Sequence, residues 1–163
     1  MSEEKKEYLS QNEDTILRDV GGVLEAMNIK EEYDTFTVKR KGKKLFSFRV
    51  RGLSAEEREK CRDDATKMVK NKKLGGIAIP ADFDAAKFGS LLIVTATHPD
   101  DKKFLWDNKE LMQKANVLSP WQLVDKVLLS GEKDRVIDLI EHLSGFDEDE
   151  DDDNHLEETL KNS

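Results

Sequence analysis

The spacing of apolar side chains changes period several times along this chain, and each change predicts an element. In residues 14–27, Ile16, Leu17, Val20, Val23, Leu24 and Met27 recur at helical spacing, with Gly21 and Gly22 as an interruption. In residues 33–50 the period shortens to two. Phe36 and Val38, then Leu45, Phe46, Phe48 and Val50, alternate with polar residues on either side of Lys41-Gly42-Lys43, the pattern of a β-hairpin with a glycine turn. From Ser54 the helical period returns. Ser54 and Glu57 stand in capping-box spacing, where each side chain satisfies the other residue's free backbone N–H. The helix they open is expected to run to about Val69 through Cys61, Ala65 and Met68, and the following NKKLGGIAIP, residues 71–80, reads as a loop.

The second half is helical throughout. Asp84 is placed to cap AAKFGSLLIVTATH, in which Phe88, Leu91, Leu92, Thr95 and Ala96 keep 3.6-residue spacing. Ile93 and Val94 make that segment apolar nearly all round, as suits a helix at the centre of a bundle. Pro99-Asp100 ends it, Phe104, Leu105 and Trp106 form a short apolar knot, and a brief helix is expected around residues 109–115. Ser119, Pro120 and Gln122 open another helix with Leu123, Val124, Val127 and Leu128 as its buried stripe. Ser130-Gly131 separates it from a last helix carrying Val136, Ile137, Leu139, Ile140 and Leu143, with Gly145 as a left-handed C-cap and Phe146 folding back onto Ile140. The elements add up to a mainly α, α+β fold: one β-hairpin packed on a bundle of about five helices. No repeat of the 20–50-residue kind accompanies them.

Charge changes the picture at the C-terminus. The whole chain carries −8. Residues 147–163 hold nine acids (Asp147, Glu148, Asp149, Glu150, Asp151, Asp152, Asp153, Glu157, Glu158) against Lys161, which is also −8. The body before them is therefore neutral. The expected organisation is a mobile lead-in over residues 1–12, one globular domain over residues 13–146 and an acidic tail over residues 147–163 with a short potential helix. A neutral body with an anionic end suits a protein that handles other proteins rather than an enzyme. The N-terminus lacks an apolar signal core and the longest apolar stretch, residues 91–94, is far too short to span a bilayer, so the expectation is a soluble cytoplasmic protein with no membrane partner.

Candidate chemistry is sparse. Cys61 is the single cysteine, which excludes an internal disulfide and a multi-cysteine zinc site, and its neighbours supply no committed base, so it reads as a buried thiol. His98, His142 and His155 fall on a helix end, a helix surface and the tail, with no metal-ligand spacing. Gly75-Gly76 lacks the order of a phosphate-binding loop. Asp147, Asp149, Asp151 and Glu158 fit a calcium-loop register, but Asp152 stands where the turn needs glycine. No cofactor or metal is expected. Two features carry partner hypotheses. Lys39, Arg40, Lys41, Lys43, Lys44, Arg49 and Arg51, with no acid among them and with Phe46 and Phe48 nearby, have the composition of a nucleic-acid footprint. Alternation argues against it, because it turns both phenylalanines to one face and Arg49 and Arg51 to the other. In the tail, Leu156 and Leu160 are four residues apart behind Asp147, Asp149, Asp151 and Asp153, a segment able to fold onto a partner's groove.

Three blocks together resemble a known family. FSFRVRGLSAEEREKCRDDATKMVKNKK (residues 46–73), DAAKFGSLLIVTATHPD (84–100) and LSPWQLVDKVLLSGEKDRVIDLIEHLSGFDED (118–149) resemble, in order and spacing, the XkdN-like tail assembly chaperones of phages and prophages of Gram-positive bacteria. The resemblance implies a non-enzymatic protein of tail morphogenesis in the host cytoplasm that keeps the tape measure protein soluble until tube subunits polymerise around it. The tail tube protein and self-association stand behind the tape measure protein as further partners. The alternative that the residues leave open is a small nucleic-acid-associated regulator using the basic hairpin, with a metal-responsive adaptor using the tail more remote.

Overall fold

The computed structural model describes residues 16–28 and 32–146. The first element is a short helix, α1 (Val20–Met27), whose N-cap Asp19 accepts a hydrogen bond from the Gly21 N–H. It starts later than the periodicity predicted: Asp19 is the N-cap, its carboxylate accepting the Gly21 N–H, and Ile16 to Arg18 lie outside the helix.

The strands β1 (Tyr33–Arg40) and β2 (Lys43–Arg51) form the expected antiparallel hairpin. Lys41 and Gly42 both have positive φ (52° and 76°), the two-residue turn that matches the strand twist. The register shifts beside Val38, which pairs with Phe46 while Lys39 pairs with Lys44. Leu45 is the extra residue of that bulge and is exposed, so Phe36, Val38, Phe46 and Phe48 share the core-facing side.

The helix α2 (Ala55–Asp64) opens with the complete capping box: the Ser54 hydroxyl accepts from the Glu57 N–H and Glu57 accepts from the Ser54 N–H. It stops at Asp64 rather than Val69. Residues expected to continue it form β3 (Thr66–Asn71), and the end of the expected loop opens β4 (Ile77–Phe83), so there is a second antiparallel hairpin where one was predicted in all. Gly75 and Gly76 have φ of 72° and 82°, values a side chain resists, and they reverse the chain after a 3-10 turn at Lys72–Leu74. Pro80 is accommodated because a register shift between Lys67 and Met68 leaves Ala81 unpaired beside it.

The remaining helices are α3 (Ala85–Ala96), α4 (Pro99–Phe104), α5 (Lys109–Ala115), α6 (Pro120–Val127) and α7 (Ser130–Leu143). α3 is central, as its all-round apolar pattern requires, and packs on α2, α6, α7 and β2. Its end differs from expectation. Thr97 leaves the helix to pair with Val50, and Pro99 opens α4 rather than terminating a helix, since its missing N–H is harmless at the first position. Likewise Ser130 and Gly131 are the first residues of α7, and the break lies at Leu128 and Leu129.

The core joins the first hairpin to the helices through Trp106, which is fully buried and meets Phe48 edge-on at 5.5 Å. Its Nε1–H donates to Thr97 Oγ1 at 2.9 Å, and Thr97 donates to the Ile93 carbonyl at 2.6 Å, so the buried indole and hydroxyl are both satisfied. Gly145, at φ 92°, donates to the His142 carbonyl while Phe146 donates to that of Glu141, the paired bonds of a Schellman cap. Phe146 is half exposed, and its ring lies against the Arg58 guanidinium of α2 at 4.9 Å, a cation–π contact.

Candidate functional site

The basic hairpin resolves into structural arginines and exposed lysines. Arg40 grips the buried Glu132 with two donors (Nε at 3.1 Å, Nη2 at 2.7 Å) and also donates to the Val127 carbonyl. Arg49 is bidentate on Asp101, and Arg51 is bidentate on Glu57. These hydrogen bonds raise the pKa of each guanidinium, and the bonds from Arg40 and Arg49 hold the Glu132 and Asp101 carboxyls below the usual carboxylate range. Each arginine thus ties β1 or β2 to the helical half. Lys39, Lys41, Lys43 and Lys44 remain exposed, but Phe48 is buried and Phe46 packs on the core, so no aromatic platform lies among them. A groove that reads single strands needs both parts on one face.

The residues weighed for catalysis have structural roles. Cys61 is 4% exposed, its Sγ lies 3.4 Å from Thr95 Oγ1, and burial pushes its thiol pKa up, the opposite of what a nucleophile needs. His98 is not a solvated surface residue. Its Nδ1 accepts the Asp100 N–H at 3.1 Å as the cap of α4, and its ring meets Tyr33 at 4.7 Å. Among the described residues, His, Cys, Asp and Glu side chains form no cluster able to hold a metal ion.

The surface that stands apart is one the sequence reading missed. The β3–β4 hairpin projects Met68, Val69, Leu74, Ile77 and Phe83 into solvent. Between Thr66 and Ala81 its chain carries Lys67, Lys70, Lys72 and Lys73 and no acid. At its base a cleft of about 650 Å³ is lined by Met68, Pro80 and Phe83 from the hairpin and by Glu59, Arg62 and Asp63 from α2. From the cleft a ladder of rings and guanidinium groups leads to the end of the body. Arg62 lies 5.7 Å from the Phe83 and Phe88 ring centres, and Arg58 lies 5.4 Å from Phe88 and 4.9 Å from Phe146. A second exposed apolar element is α1, which has no buried residue and presents Val20, Val23, Leu24 and Met27. Solvent-facing apolar side chains gathered on two elements mark an interaction surface. The signal available in the sequence was a pair of short runs, TKMVKN and IAIPADF, with β-branched residues on either side of a Gly-Gly turn. The helical period of α2, extended five residues too far to Val69, hid it.

The tail residues expected to contact a partner, Leu156, Leu160, Asp147, Asp149, Asp151 and Asp153, lie outside the described residues.

The arrangement is therefore a small α+β body without a catalytic constellation among its described residues, with apolar, lysine-flanked surface: the class is a protein-binding module. Residues 23–159 match the family of phage XkdN-like tail assembly chaperone proteins, and the chain belongs to that family. The fold is similar to the crystal structure of the protein yqbn, a structural genomics target, with a TM-score of 0.51 at 15% identity over 80% of this chain and 99% of that one. The comparison with curated proteins gave no match.

Proposed function

We propose that this tail assembly chaperone is a non-enzymatic holdase that keeps the tape measure protein soluble in the host cytoplasm during tail morphogenesis. The observation that carries the reading is the apolar surface of α1 and the β3–β4 hairpin, exposed beside a buried core. A tape measure is long and helical, and its apolar stripe needs cover until the tube forms. Short exposed apolar patches suit repeated weak binding along such a stripe, since each side chain covered contributes roughly 1.5–3 kcal/mol before ordering costs. Asp147, Asp149, Asp151 and Asp153 give the complex its net negative charge, which opposes self-association of coated clients. Leu156 and Leu160 are the tail's apolar contact points. The tail tube protein and a second copy of the chain are the further partners of this scheme.

The test is co-expression of the tape measure protein with and without this chain, followed by the soluble fraction. The expected result is a tape measure protein recovered in solution only with its chaperone. Equal insolubility in both cases would overturn the reading.

A further inference from the structure

We propose that the β3–β4 hairpin and the cleft at its base are the seat of the chain's own acidic C-terminal segment, with Leu156 and Leu160 in the cleft and the acidic run over the hairpin lysines. This is a property of the free chain, independent of the client's identity: a client that takes the hairpin surface displaces the tail from it.

Four observations converge on this occupant. The first is charge. The hairpin from Thr66 to Phe83 carries four lysines and one acid, Asp82, which stands in register opposite Lys67. Residues 147–163 carry −8, while the body sums to zero. The second is the composition of the cleft. Met68, Pro80 and Phe83 offer apolar wall, and Arg62 stands over Phe83 as a cation at the rim. An acidic segment bearing two leucines four residues apart matches both qualities, and the −8 segment of this chain is one. The carboxylates that share the cleft, Glu59 and Asp63, lie on α2, with Glu59 3.9 Å from Arg62. They repel the acidic run from the α2 side and steer it toward Lys67, Lys70, Lys72 and Lys73.

The third is where the described chain ends. Phe146, the last described residue, is seated on Arg58, one rung of the ladder that passes through Phe88 to Arg62 and Phe83. The tail is therefore rooted on the same face as the cleft. The fourth is reach. Nine residues separate Phe146 from Leu156. Extended, they span on the order of 30 Å, several times one rung of the ladder. Because the link is short, the local concentration of the tail at the cleft is in the millimolar range, so a weak site is occupied without help from bulk concentration.

A nitroxide on Ser163→Cys tests the contact in the full chain. Cys61 is 4% exposed and does not compete for the label. The expected result is paramagnetic loss of amide signal centred on Met68, Val69, Ile77 and Phe83. The loss should shrink when salt is raised from about 0.05 to about 0.5 M, which shortens the screening length. It should also disappear in the double variant Leu156→Ser with Leu160→Ser, and in Lys70→Glu with Lys72→Glu and Lys73→Glu, whose remaining spectra report that the body is still folded. Three outcomes would overturn the proposal: no signal loss; loss spread evenly or centred on α1 or on the β1–β2 hairpin; or equal loss in a mixture where the label and the observed nuclei are on different molecules, which would assign the seat to a second copy.

Discussion

Glu132 shows how one side chain decides what a charged segment is for. It is 3% exposed, its Oε1 accepts from the Leu129 N–H at 2.8 Å at the start of α7, and both its oxygens accept from Arg40. A buried carboxylate is tolerable only with this degree of satisfaction. The arrangement converts Arg40 from a surface cation into a clamp between β1 and α7, which is why charge counting along the hairpin overstated its free basicity. It also gives a pH dependence of known sign. The Arg40 hydrogen bond depresses the Glu132 pKa, so the folded protein holds the carboxylate ionised where the unfolded chain begins to protonate it. The stabilisation is fully present above the unfolded glutamate value of about 4.3 and is lost as pH falls through the lower folded value. Chemical melts over this range should show the Glu132→Gln variant starting less stable at neutral pH and converging on the wild-type protein as acid is added. A constant gap down to about pH 3 would mean that the pair contributes nothing specific to the ionised form.

At the scale of elements, the legible parts were those governed by local rules. The capping box at Ser54, the β1–β2 turn, the helix at residues 109–115 and the Schellman end of α7 all follow from side chains within a few residues of one another. The illegible parts were set by contacts distant in sequence. Thr66 to Asn71 has enough helical periodicity to extend α2, and only the pairing with Ile77 to Phe83 makes it a strand. The candidate surface followed the hairpin into obscurity, since residues read as helix and loop are not expected to share a cleft. Gly52 is a second case. In sequence it is a plain linker between β2 and Ser54, yet a Cβ there would lie 2.3 Å from the Leu143 carbonyl oxygen, inside the backbone of the last turn of α7. The same junction is tied by the Leu53 N–H donating to Ser144 Oγ at 2.9 Å. Because the obstructing atoms are backbone, they cannot step aside by a rotamer change. Gly52→Ala should therefore cost about 1–3 kcal/mol or more in urea unfolding, whereas an alanine in an open surface glycine position such as Gly131 should change stability far less. Near-neutral behaviour of Gly52→Ala would show that β2 and α7 are not in backbone contact.

The whole molecule is polarised by function rather than by charge alone. The β1–β2 hairpin, although richer in cations, is bolted to the helices by Arg40–Glu132, Arg49–Asp101 and Arg51–Glu57, and its aromatic rings face inward. The β3–β4 hairpin has fewer arginines to anchor it and more apolar surface in solvent. This division bears on the two classes of partner that the sequence left open. Nucleic-acid binding through the first hairpin would have to rest on Lys39, Lys41, Lys43 and Lys44 alone, because freeing an arginine would expose or strand a carboxylate such as Glu132. Four lysine–phosphate contacts without stacking or base readout give only non-specific affinity, on the order of 10⁻⁴ M or weaker at physiological salt, and the −8 of residues 147–163 lowers it further. Titration of the full chain into labelled single- and double-stranded DNA and RNA should accordingly show no saturation below about 100 μM at physiological salt. At low salt, any weak association should be equal for all sequences and should lose a slope of about four ions at most in a log–log salt plot, as four contacts dictate. Sub-micromolar binding, or a slope near seven, would require the three arginines to leave their carboxylates for phosphates, and the clamp between the first hairpin and the helical bundle would then be the switch of a nucleic-acid-binding protein.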